Sequence, residues 1–94
     1  MKELKEQFKN YEYGQSIRLD HKSTTLIQLE RDYSIKGNYA LVTDGYYDQY
    51  DKRFLYSVVF DGKYNPRVII ELTESQINLI AYKPQSHPKT SIFK

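Results

Sequence analysis

The sequence predicts an α+β domain in which an antiparallel meander sheet of about five strands is flanked by a short N-terminal helix and a C-terminal helix. Three observations carry that prediction. Apolar residues recur at helical spacing near both ends, they alternate or run continuously in between, and the turn signals are close enough together to join neighbouring strands locally.

Leu4, Phe8 and Tyr11 form one apolar stripe among Lys2, Glu3, Lys5, Glu6 and Lys9, so a helix is expected over 1–13 with Gly14 marking its end. The sheet is expected over 15–72. Its first strand is Ser16–Asp20, with Ile17 and Leu19 inward, and Asp20-His21-Lys22-Ser23 reads as a turn. Thr24–Glu30, rich in β-branched residues, reads as the second strand, and Lys36-Gly37-Asn38 as the next reversal. Tyr39–Thr43 is the third strand. Phe54–Phe60 is apolar at nearly every position, which predicts a central strand covered on both faces. Arg67–Leu72 is the fifth, with Val68, Ile70 and Leu72 facing in. Thr73-Glu74-Ser75-Gln76 has the form of a capping box and launches a helix over 73–83 that carries Ile77, Ile80 and Ala81 on one side, stopped by Pro84. The Pro-containing tail over 84–94 is expected to be loosely ordered unless Ile92 and Phe93 pin it to the sheet.

Composition bounds the function. With 94 residues, 39% of them hydrophobic, the chain reads as one domain with a single modest core. No cysteine is present, which excludes disulfides, thiolate catalysis and the usual structural zinc sites. No apolar run approaches the roughly 18 residues that suggest a membrane span. The charged Met1–Glu6 start does not resemble a secretory signal, so the expected location is the cytoplasm of the producing or host cell. The formal net charge is only +2, yet its distribution is uneven: residues 44–62 hold four aspartates against Lys52 and Arg53, whereas residues 83–94 hold three lysines and no acid.

The segment Asp44-Gly45-Tyr46-Tyr47-Asp48-Gln49-Tyr50-Asp51 packs three tyrosines and three aspartates into eight positions. As a calcium loop it fails, because the positions that need oxygen ligands and a glycine hold Tyr46, Gln49 and Leu55 instead. It reads either as a hairpin connection turning near Asp48-Gln49 or as a recognition surface. For recognition, Tyr46, Tyr47, Tyr50 and Arg53 are the anchors, since tyrosine and arginine are enriched at binding hot spots, with Asp48 and Asp51 setting charge preference. A second candidate surface, suited to nucleic acid, comprises Lys63, Tyr64, Arg67, Tyr82, Lys83 and Lys89, where tyrosines that could stack on bases sit beside cations that could hold phosphates.

Catalytic signatures are lacking. Asp20-His21-Lys22-Ser23 contains the letters of a hydrolase triad, but adjacent residues on one turn cannot converge as nucleophile, base and orienter. His21 and His87 are too far apart in sequence to suggest a metal site, and the four glycines are scattered one per turn rather than gathered into a phosphate loop. No cofactor is implied. The expected function is that of a small non-enzymatic protein occupying a surface of a larger protein partner, a character shared with phage and mobile-element accessory proteins and inhibitors of host defence. A nucleic-acid-binding module is the second reading, and a metal-free ribonuclease built on His21 or His87 is the third. A homodimer in which Tyr33, Tyr39 and the Ile92-Phe93 pair cover a sheet edge is also compatible with the sequence.

Overall fold

A computed structural model describes residues 11–84 of the protein. Its elements are β1 (Ser16–Arg18), α1 (Thr24–Tyr33), β2 (Ile35–Asp48), β3 (Arg53–Gly62), β4 (Val68–Leu72) and α2 (Glu74–Ile80). The fold is α+β, an open antiparallel sheet in the order β1-β2-β3-β4 with two helices. The described sheet has four strands rather than about five because Thr24–Glu30 is not a strand.

That segment lies within α1. The Ser23 hydroxyl accepts a hydrogen bond from the Leu26 amide at 3.1 Å, an N-cap that starts the helix, and Leu26 and Leu29 then turn to the same side, where Leu26 is fully buried. The β-branched residues Thr24, Thr25 and Ile27 sit on the first turns at little cost, because Ile27 is exposed and packing rather than propensity decides the state. Ser34, with φ 55°, closes the helix in the left-handed region and sends the chain directly into β2.

The predicted reversal at Lys36-Gly37-Asn38 is a bulge inside β2. Gly37 has φ 100°, and the register with β3 slips between Lys36↔Asp61 and Leu41↔Val59. Ile35 and Ala40, five positions apart, are therefore both buried, which strict alternation forbids. A second slip, between Val42↔Val58 and Asp44↔Ser57, leaves Thr43 as an extra residue whose hydroxyl donates to the Ser57 carbonyl at 3.3 Å. This bulge reverses the facing of everything beyond it.

The N-terminal expectation lies largely outside the described residues, which exclude 1–10; Tyr11 to Gly14 form a bend and a turn, with Gly14 at φ 83°. At the other end, the Thr73–Gln76 capping box is present with both of its reciprocal bonds. The helix it starts ends at Ile80, before Pro84, because the chain from Ile80 to Tyr82 pairs with β1 through Asp20 N–H to Ile80 O and Tyr82 N–H to Arg18 O, each at 2.8 Å. Residues 85–94 of the expected tail lie outside the described residues.

One face of the sheet carries the core. Ile17, Ala40, Val42, Tyr56, Val58, Phe60, Ile70 and Leu72 project from it against Leu26 of α1 and Ile77 and Ile80 of α2. Each fully buried large aliphatic or aromatic side chain contributes about 1.5–3 kcal/mol, so these residues hold the two helices to the sheet. Tyr11 joins them, its ring edge-on to Tyr56 at 5.7 Å and its hydroxyl donating to the Asn78 side chain.

Burial, and secondarily the nearby Glu74 carboxylate, raises the pKa of both Tyr11 and Tyr56 above the usual 10.0. Above that value the unfolded phenols ionise first, so the native state holds more protons than the unfolded one and stability falls as pH rises. The contribution is complete below pH 10.0 and declines above it. Thermal melts from neutral to strongly alkaline pH should show this loss, and Tyr56→Phe should make the alkaline decline shallower. An unchanged decline would assign the effect to other groups.

Candidate functional site

Ladder register assigns side chains to faces. Opposite the core, the second face of the sheet presents Ser16 and Arg18 from β1, Tyr39, Leu41, Asp44, Tyr46 and Asp48 from β2, Arg53, Leu55, Ser57 and Val59 from β3, and Ile69 and Glu71 from β4. Among the described residues, neither helix lies on this face. Leu41, Val59 and Ile69 form a row across three strands, and Leu41 and Ile69 are 41% and 61% exposed. The apolar run of β3 was expected to be covered on both sides; here Tyr56, Val58 and Phe60 face the helices while Leu55 and Val59 face the side without them.

Tyr46 extends the row toward the β2–β3 hairpin. It stands directly opposite Leu55, which is buried although it lies outside the main core. A hydrogen bond to Glu71 is the main cause of the raised Tyr46 pKa, with smaller contributions from desolvation and from the Glu71, Asp48 and Asp44 charges. Tyr46 thus spans from β2 toward β4 across β3.

The remaining residues of the Asp44–Asp51 segment do not share one surface. β2 runs on through Asp48, the turn occupies residues 49–52, and β3 begins at Arg53, so the hairpin connection describes the backbone. Tyr47 pairs with Phe54 and points to the face opposite Tyr46, while Tyr50 at the turn is 97% exposed. Asp48 is occupied in shaping the turn, its Oδ1 accepting from the amides of Tyr50 at 3.0 Å and Asp51 at 3.4 Å. Asp51 pairs with Arg53 at 3.4 Å. Both groups are half exposed, so the pair adds little to stability.

The nucleic-acid set also divides. Lys63, Tyr64 and Arg67 lie on the β3–β4 connection, Tyr82 and Lys83 lie beside β1 at the opposite edge of the sheet, and Lys89 lies outside the described residues. Three strand spacings of roughly 4.8 Å separate β1 from β4. Tyr82 instead meets residues that sequence reading had not grouped with it: the Arg18 guanidinium lies 4.5 Å from its ring centroid. His21, at the mouth of the same region, contacts Asn38 Oδ1 through Nε2 at 2.9 Å and Glu30 Oε2 through Nδ1 at 3.5 Å. Among the described residues, no three His, Asp or Glu side chains are grouped to hold a metal ion, and no helix is long and apolar enough to cross a membrane.

No protein-family model, curated protein or solved structure matches this chain. The geometry of its own residues therefore carries the functional argument.

Leu41, Val59 and Ile69 were missed as site residues because each sits in a run that reads equally well as core. The signal was the unbroken apolar character of Val58-Val59-Phe60 and Val68-Ile69-Ile70, which gives a sheet two apolar faces but does not say whether both are covered.

Proposed function

We propose that this chain is a non-enzymatic binding protein that lays the sheet face opposite α1 and α2, from Ile69, Val59 and Leu41 to Tyr46, on a larger protein partner. The observation that carries the reading is the apolar row of exposed Leu41, half-buried Val59 and exposed Ile69 continuing into Tyr46. Contiguous apolar surface of this kind marks interaction sites, and a tyrosine at its border adds contact area at low entropic cost. Asp44, Asp48 and Glu71 flank the Tyr46 end, so the matching partner surface is a flat apolar patch bordered by basic residues. Of the sequence-derived anchors, Tyr46 belongs to this face, Arg53 and Asp51 to its rim, and Tyr47 and Tyr50 to the adjoining hairpin.

Two measurements test the proposal. Sedimentation equilibrium should give a monomer for the isolated chain. Affinity capture from the producing or host cell should then retain a partner that is lost when Leu41→Lys and Ile69→Lys are combined, with circular dichroism unchanged by the substitutions. Loss of an anchor residue at the centre of an interface typically costs 2 kcal/mol or more, about thirtyfold in affinity. Equal capture by both forms would remove this face from the function, and a dimer broken by Ile69→Lys would make a second copy of the chain its occupant.

A further inference from the structure

A second surface lies beyond the apolar row. Antiparallel pairing sets Tyr82 opposite Arg18 and Arg18 opposite Tyr39, so the three side chains occupy one row on the face opposite α1 and α2. With neighbouring backbones roughly 4.8 Å apart, the outer two members of this row stand about 10 Å from each other. Arg18 lies between them and stacks against Tyr82 at 4.5 Å. The row forms part of a cleft of ≈ 320 Å³ whose mouth is edged by His21, Lys22 and Asn38. That volume is at the lower end of small-ligand sites.

The chemistry of the lining is specific in kind. Tyr39 and Tyr82 are 57% and 43% exposed, offering aromatic surface to a planar group. Arg18 and Lys22 provide two cations, and neither has a carboxylate within salt-bridge distance among the described residues. The acid in the lining, Asp20, accepts a hydrogen bond from the Lys22 amide at 3.0 Å and so helps shape the turn. His21 is held by Asn38 and Glu30. A bare phosphate would use the cations but not the rings; a neutral aromatic would use the rings but not the cations.

We propose that this cleft binds a nucleotide unit, its base stacked in the Tyr39–Arg18–Tyr82 row and its phosphate held by Arg18 and Lys22. An exposed planar base, free or in a single strand, suits the site; a base inside a duplex does not offer its face. Lys83, next to Tyr82, extends the cationic border for a continuing strand. The site adjoins the Leu41–Ile69 row, since Tyr39 stands next to Leu41 on the same face of β2, but it uses other residues and its binding is read independently of a protein partner.

The test uses the full chain, thymidine monophosphate and a short fluorescein-labelled oligothymidylate. Amide chemical shifts of residues 18–22, 38–39 and 82 should move on addition of the probe, and anisotropy should report binding that weakens with salt. Arg18→Gln and Tyr39→Ala should each weaken binding at least about tenfold, whereas Tyr50→Ala, at the far hairpin, should leave it unchanged. Melting curves of the variants verify folding. Response to the oligonucleotide alone assigns the site to single strands, and an equal response to the monophosphate assigns it to free nucleotides; either result supports the proposal. No shift with either probe, retention of affinity in folded Arg18→Gln, or tighter binding of phosphotyrosine than of the nucleotides would overturn it.

Discussion

Gly62→Ala is expected to destabilise the protein by about 3 kcal/mol or more, a fall in Tm of about 12–24 °C for a domain of this size. Gly62 is buried at the end of β3, where it pairs with Ile35. A Cβ there would stand 2.2 Å from the Asn65 carbonyl oxygen and 2.8 Å from Val68 Cγ2. The first contact is with backbone, so no side-chain rotation relieves it. Moving that backbone would strain the β3–β4 connection and the adjacent 2.7 Å bond from Lys63 N–H to Ser34 O, which ties the connection to the end of α1. Gly14→Ala provides the contrast: among the described residues nothing lies within 4 Å of where a Cβ would stand, and its φ of +83° opposes a side chain, for about 1–2 kcal/mol. Thermal denaturation of the two variants distinguishes collision from backbone preference. A Gly62→Ala protein melting within a few degrees of the parent would mean that the Asn65 backbone yields to a side chain at little cost.

The α+β class and the strands at Tyr39–Thr43, Phe54–Phe60 and Arg67–Leu72 were legible because alternation, continuous apolar runs and the Asp61-Gly62 and Asn65-Pro66 turn signals agree there. The Thr73–Gln76 cap was legible for a similar reason: its hydroxyl and amide groups act locally, so four residues contain the whole interaction. The facing of the candidate site was not legible. It depends on the two slips between β2 and β3, each of which resets which side chains point toward the helices. Reading Asp44–Asp51 as one tyrosine cluster ignored this, and Tyr46 and Tyr47 consequently diverge. The Tyr82–Arg18–Tyr39 row was hidden more deeply, since it joins residues from three separate segments through pairing that begins only after α2 has ended.

Leu26→Ala is expected to cost about 2–5 kcal/mol, while Ile27→Ala should lie within about 0.5 kcal/mol of the parent. Leu26 is 0% exposed and packs in the core, and Ile27 is 41% exposed on the outer side of α1. A strand over Thr24–Glu30 would group Leu26 with Gln28 and Glu30 and place Ile27 with Leu29 on the other side. The helix groups Leu26 with Leu29 instead, so Leu29→Ala should also destabilise, by less than Leu26→Ala because Leu29 is only partly buried. Replacing the exposed Ile27 by alanine even gains a few tenths of a kcal/mol in helix propensity, which offsets the small loss of packing. Urea denaturation of the three variants reads this order directly, and equal losses for Leu26→Ala and Ile27→Ala would contradict the helix. The consequence reaches the cleft, because Glu30 lies on α1 and holds His21 at 3.5 Å at its mouth. Loosening Leu26 from the core should therefore weaken the nucleotide binding proposed for the cleft, through the position of the Asp20–Lys22 turn, even though Leu26 itself lines no part of the site.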